Sequence, residues 1–122
     1  MPTVSDYAIV ANSHKTLQQP AGDRDVTYDF TLPSNLNQRG RAVATWLFDT
    51  DSLPNGLRYH VLINGTELTD YTHSGVDMFA TIQEVFSASV LKAGTNEALV
   101  EIIGGTGRIQ VSSFVVHFQV DV

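Results

Sequence analysis

A chain of 122 residues with 43% hydrophobic and 16% charged side chains has the size and composition of a single globular domain, residues 1–122, which excludes intrinsic disorder. Its net charge is −6 and its seven Lys and Arg are scattered, which argues against a phosphate-tracking groove and so against nucleic acid as a partner. It has no cysteine, so disulfides, thiolate chemistry and Cys-ligated metal centres are excluded as well.

The opening MPTVSDYAIVANSHK has no basic stretch followed by an apolar run and does not read as a secretory signal. No segment approaches the length of a membrane span. The compartment is left open. From Val26 onward the organising signal is period two. Val26, Tyr28, Phe30 and Leu32 alternate with Thr27, Asp29 and Thr31, as in a strand with one dry and one wet face. Pro33 and SNLNQRG end it. Arg41 to Asp49 follows, with Ala42, Ala44, Trp46 and Phe48 on one parity and Val43, Thr45 and Leu47 on the other. Apolar on nearly both faces, this reads as a central strand, and Trp46, the only tryptophan, as interior.

DTDSLPNG is a turn cluster. The next strand places Leu57, Tyr59, Val61 and Ile63 on one face and Arg58, His60 and Leu62 on the other. Asn64-Gly65 is a strong hairpin signal and returns the chain through Thr66 to Thr69. DYTHSGVD reads as a polar loop, MFATIQEVF as a strand, and Ser87 to Leu91 as one turn of helix. Glu97 to Ile103 and Arg108 to Val122 are the last strands, separated by a Gly-Gly-Thr-Gly turn. In the final one the apolar parity changes near Ser112-Ser113, which a bulge or a passage between sheets accomplishes. Seven or eight strands without a long helix predict an all-β fold, an antiparallel two-sheet β-sandwich of the jelly-roll type.

LRYHVLINGTEL, FSASVLKAGTNEALVEI and GRIQVSSFVVHFQ together resemble the galactose-binding-like jelly rolls found as carbohydrate-binding modules, lectins and appended domains of glycosidases and polysaccharide lyases. The matching positions are Asn64-Gly65, Leu91 to Asn96 and Arg108 to Gln119. They are scaffold turns: Gly94 suits positive φ, Asn96 suits a bond to its own turn, and Leu91 plugs the end of the sandwich. The resemblance implies the fold and a carbohydrate partner, and carries over no ligand residue.

Three groups of residues bear chemistry. His14, His60, His73 and His117 are far apart, and His60 and His117 lie on polar parities, so they read as wet-face residues rather than metal ligands. Asp49 and Asp51 in FDTDS offer hard oxygen ligands suited to calcium, and serve equally well as a solvated turn. Sugar recognition needs an apolar ring face together with fixed hydrogen-bonding partners. Tyr71, His73, Asp70 and Asp77 in one loop, with Arg58 and His60 on an adjoining strand face, supply such a set. Tyr71 and His73 read equally well as plain exposed loop residues. Neither a Gly-x-Ser-x-Gly elbow nor a phosphate loop is present, and no spacing selects a catalytic carboxylate pair. The expectation is therefore a non-catalytic, lectin-like carbohydrate-binding module. The alternative is a structural or assembly subunit of a virion, appendage or shell, and a homo-oligomer is compatible with both.

Overall fold

The computed structural model describes residues 2–74 and 77–122, and of residues 51–54 the backbone alone. Among the described residues, seven antiparallel strands form one continuous, curled sheet. They are β1 (Thr3–Ala11), β2 (Lys15–Gln19), β3 (Asp25–Leu32), β4 (Arg41–Ile63), β5 (Thr66–His73), β6 (Phe79–Ser87) and β7 (Gly94–Asp121). A 3-10 turn over Ala88–Val90 joins the last two, where one turn of helix was expected. No helix among the described residues is long and apolar enough to cross a membrane.

The two longest strands explain how one sheet makes two layers. In the first layer, residues 57–63 of β4 pair with β5 on one side and with the start of β7 on the other, and β3 completes it against residues 94–101. In the second layer, residues 41–49 of β4 pair with β6 and with residues 110–117 of β7, and β1 adds to the end of β7. β2 pairs with residues 107–111, where β7 passes between layers. The alternating apolar rows of β4 turn inward: Ala42, Ala44, Trp46 and Phe48 face Leu57, Tyr59, Val61 and Ile63 across a dry interlayer. Phe114 stacks on Trp46 at 5.4 Å and Phe48 on Tyr59 at 4.8 Å, so rings fill the centre. The all-β sandwich read from the alternation is the observed architecture.

Two expected reversals are bends instead. DTDSLPNG lies within the continuous strand β4, and GGTG within β7. Both passages sit opposite each other, and their pairing shifts register repeatedly between Asp49 and Tyr59. Turn-forming residues there loosen the backbone without returning the chain, because each long strand keeps its partner on both sides of the bend. The expected parity change in β7 is a bulge. Thr45 faces Val115 and Leu47 faces Ser112, so two steps on β4 span three on β7, and Ser113 takes a φ of 51°.

The Asn64-Gly65 hairpin is present, with φ of 50° and 80° as a two-residue turn of the I′ kind requires. It is locked to the Leu91–Asn96 turn. Asn96 is buried; its Oδ1 accepts from Lys92 N and Asn64 Nδ2, and its Nδ2 donates to Lys92 O and Gly94 O. Asn64 Oδ1 in turn accepts from Glu97 N at 2.9 Å.

Candidate binding cleft

β5 and β6 are the edge strands of the two layers on the same side of the sandwich, because both flank β4. Between them the interlayer opens to solvent as a cleft of about 210 Å³. Its walls are Tyr59, Thr69, Tyr71 and His73 from the first layer and Met78, Ile82 and Glu84 from the second. Register explains the set. Tyr71 faces Tyr59 and His73 faces Leu57, so both share the inward parity of β4. Ile82 faces Trp46 and Glu84 faces Ala44, which puts a carboxylate on an inward row at the edge. Met78 is held by Thr50, whose Oγ1 accepts from Met78 N at 2.6 Å and whose N donates to Met78 O.

A run of rings leads from the core to the surface here. Phe48 stacks on His73 at 4.9 Å, Tyr59 lies 5.9 Å from His73, and Tyr71 packs at 4.3 Å from it. The inner rings are buried, whereas Tyr71 is 52% exposed. His73 is buried and its Nε2 has no hydrogen-bond partner among the described residues. Burial pushes the Tyr59 hydroxyl up to about 12, with the Trp46 indole beside it pulling the other way. Tyr59 is therefore a neutral donor at physiological pH. The exposed Tyr71 ring offers a face for C–H groups, and Tyr71, Thr69 and Glu84 carry the kinds of donor and acceptor that a polyhydroxylated ring engages.

Burial also pushes the His73 imidazole below its ordinary value of 6.5. The folded protein then keeps His73 neutral at a pH where the unfolded chain already binds a proton. Stability from this source is complete above about pH 6.5 and declines as the pH falls below it. Thermal midpoints measured between about pH 8 and 5 should therefore drop more for the wild type than for His73→Phe, which keeps the stack. Parallel curves would show that His73 carries no such linkage.

The six residues singled out for a ligand are divided by the structure. Asp70, Tyr71 and His73 lie on strand β5 rather than in a loop, and strand alternation sends Asp70 outward while Tyr71 and His73 face the cleft. Composition misled here: β5 is an edge strand, so even its inward positions are polar enough to meet water. Asp70 holds Arg58 on the outer face, accepting from Arg58 Nε at 2.8 Å and from Nη2. That bond draws the Asp70 carboxyl below its ordinary value and raises the Arg58 guanidinium. His60, also outward, lies between Glu101, 2.8 Å from its Nε2, and Glu67, 3.5 Å from its Nδ1. Asp77 is exposed in the segment before β6. Asp49 lies on β4 opposite Phe79 and Gln110, while the side chain of Asp51 falls outside the described residues. No group of three metal-ligating side chains gathers among the described residues.

Thr69, Met78, Ile82 and Glu84 were not singled out from the sequence as cleft residues. One signal for Glu84 was available: in FATIQEVF it occupies the parity of Ala80, Ile82 and Phe86, a charge set into an apolar row.

No protein-family model and no curated protein matches the chain. Solved structures do share its fold. It aligns over 99% of its length with 13% of dimeric latent PorU from Porphyromonas gingivalis, at a TM-score of 0.70 and 11% identity. It aligns over 96% of its length with 20% of a β-porphyranase of glycoside hydrolase family 86 from the gut bacterium Bacteroides plebeius, at a TM-score of 0.65 and 20% identity. The CBM36-1 domain of a multidomain xylanase from the hindgut metagenome of Trinervitermes trinervoides is spanned end to end, with 98% of this chain covered, at 12% identity and a TM-score of 0.46, too distant to carry weight. At these identities the likeness is one of fold, and the chain corresponds to a small segment of the two larger proteins.

Proposed function

We propose that this chain is a non-catalytic carbohydrate-binding module whose cleft between β5 and β6 receives a sugar ring. The observation that carries this reading is the run of stacked rings that ends on exposed Tyr71, beside Thr69 and Glu84. At about 210 Å³ the cleft is smaller than the sites of about 300–1,000 Å³ that hold drug-sized ligands. It suits one ring rather than a buried oligomer. Glu84 is the one carboxylate among the described residues of its lining, whereas glycoside hydrolysis uses a pair. A segment of a glycosidase with the same fold is consistent with this role. Arg58, His60 and Asp70 stand across the β5 edge and would meet only outlying rings, as would Asp77.

A glycan array followed by calorimetry tests the proposal. Tyr71→Ala removes the exposed ring and should weaken binding at least about tenfold, an aromatic contact being worth about 0.5–1.5 kcal/mol beyond its buried area. Binding that survives in this variant, or no binding to any glycan, would sink the reading. Running the array with calcium and with a chelator tests Asp49 and Asp51 as a calcium site at the same time.

One observation favours an assembly role as the second reading. The outer face of the second layer carries exposed apolar side chains: Tyr7, Ile9, Phe79 and Val85 are all more than half exposed. Tyr7, His117, Val43 and Val85 form one row across β1, β7, β4 and β6. Charge is concentrated instead on the outer face of the first layer, through Asp25, Asp29, Glu67, Asp70, Glu97 and Glu101. Light scattering that finds large closed particles, with no glycan signal, would favour this reading over the first.

A further inference from the structure

A second and larger recess, about 570 Å³, lies at the end of β6, where it pairs with the start of β4. Arg39, Gly40, Arg41, Val85, Phe86 and Ser87 line it. The backbone that presents the arginines is fixed: Arg39 N donates to Asn37 Oδ1 at 2.8 Å, and Gly40 O accepts from Ala88 N at 2.9 Å. Elsewhere Lys15 is paired with Asp23 and Arg58 with Asp70, and Arg108 has a partner of its own. Arg39 and Arg41 have no carboxylate partner among the described residues. Two guanidiniums that line one recess with no carboxylate partner among the described residues favour an incoming anion, in a chain of net charge −6. A guanidinium fork matches the paired oxygens of a planar or tetrahedral oxyanion.

We propose that this recess binds the sulfate or carboxylate group of an acidic glycan. For the kind of molecule that carries the anion, the inference rests on the carbohydrate reading of the cleft. β6 lines both sites, with Ile82 and Glu84 at the cleft and Val85, Phe86 and Ser87 at the recess. At about 3.3 Å per residue, Glu84 and Ser87 are roughly 10 Å apart along the strand but on opposite faces of it, so a glycan of a few rings would reach both by passing round the β6 edge. Glu84 repels an acidic ring from the cleft, so the neutral ring belongs there and the acidic one beside Arg39 and Arg41. The apolar Val85 and Phe86 and the Ser87 hydroxyl suit the mixed C–H and hydroxyl surface of a saccharide. Nucleic acid fits less well, because the recess continues into no basic track and the opposite layer is acidic.

The test is calorimetry with neutral, uronate-bearing and sulfated oligosaccharides of equal length, at low and high salt. The wild type should bind one or both acidic forms at least about tenfold tighter than the neutral form, the value of one charge-assisted hydrogen bond. The uronate and sulfate arms decide which anion is preferred. Arg39→Ala with Arg41→Ala should abolish that advantage while leaving the thermal midpoint and neutral binding in place, and the paired Lys variants should keep part of it. High salt should shrink the same advantage in the wild type. Equal affinity for neutral and acidic forms, or an advantage that persists in the double Ala variant, overturns the proposal. Arg-dependent binding of a single-stranded oligonucleotide that exceeds that of every glycan overturns it too. If acidic forms bind through the arginines while Tyr71→Ala changes nothing, the cleft reading fails and the recess stands. If sodium sulfate shifts the Arg39 and Arg41 side-chain resonances but no glycan binds, both fail.

Discussion

Gly105→Ala is expected to destabilise this protein by at least about 3 kcal/mol, a large part of the total stability of a domain this size. Two costs coincide at this position. Its φ is 70°, a region that an L side chain enters only with strain. A Cβ placed there would lie 2.0 Å from Gly56 O, 2.2 Å from Gly56 C and 2.6 Å from Leu57 N. These are backbone atoms of the facing strand and have no rotamer through which to retreat. They also belong to the place where β4 and β7 bend together, so relief would separate the strands that join the two layers. Gly56→Ala is the matched comparison: its φ is 60°, yet nothing lies within 4 Å of the added Cβ. It should lose only about 1–2 kcal/mol, the cost of the left-handed backbone. Urea denaturation of the two variants separates close approach from conformational strain. Equal losses would show that the facing backbone yields, and that the bend is not a tight contact.

Asn96→Leu is expected to lose about 4 kcal/mol by the same measurement. Leu keeps the branching and the number of heavy atoms, is bulkier, and removes all four hydrogen bonds that the amide makes. Lys92 N, Lys92 O and Gly94 O then lose their side-chain partner, and Asn64 Nδ2 keeps only Val90 O. Each buried polar group left unpaired costs about 1–3 kcal/mol, less where water reaches it. Lys92 and Gly94 are exposed, so their share is at the low end. The amide nevertheless ties the Asn64-Gly65 hairpin to the turn that opens β7, and both turns loosen together. Asn64→Ala should lose less, because Asn96 keeps its own turn intact. A wild-type midpoint for Asn96→Leu would mean that the turns hold without their amide link.

The sequence disclosed the fold where burial is one-sided. Val26 to Leu32, Ala42 to Phe48 and Leu57 to Ile63 alternate cleanly because one face of each meets the interlayer. The Asn64-Gly65 and Leu91–Asn96 turns were legible because their chemistry is local. β1 and β2 went unread: most of β1 is exposed, and β2 buries only Leu17 outright, so neither carries a strong period. DTDSLPNG and GGTG were misjudged for another reason. Turn residues announce an unusual backbone, but whether the chain reverses depends on partners that are distant in sequence. The cleft was half legible. Tyr71 and His73 were chosen for their chemistry, whereas their separation from Asp70 depends on β5 being a strand, which a polar edge conceals. Glu84 becomes a cleft residue only when β6 is laid opposite β5, a tertiary fact.

The pairing of β1 with the end of β7, Thr3 opposite Asp121, sets the order in which the molecule can be completed during translation. β1 cannot pair until residues 114–121 have been made. β3 likewise waits for residues 94–101, and until then its apolar row has no neighbour to pair with. Contacts this remote in sequence make folding slow, and unpaired strands are exposed to aggregation until β7 is available. Removing residues 114–121 would leave β1 without a strand to pair with, while β2 would keep residues 107–111.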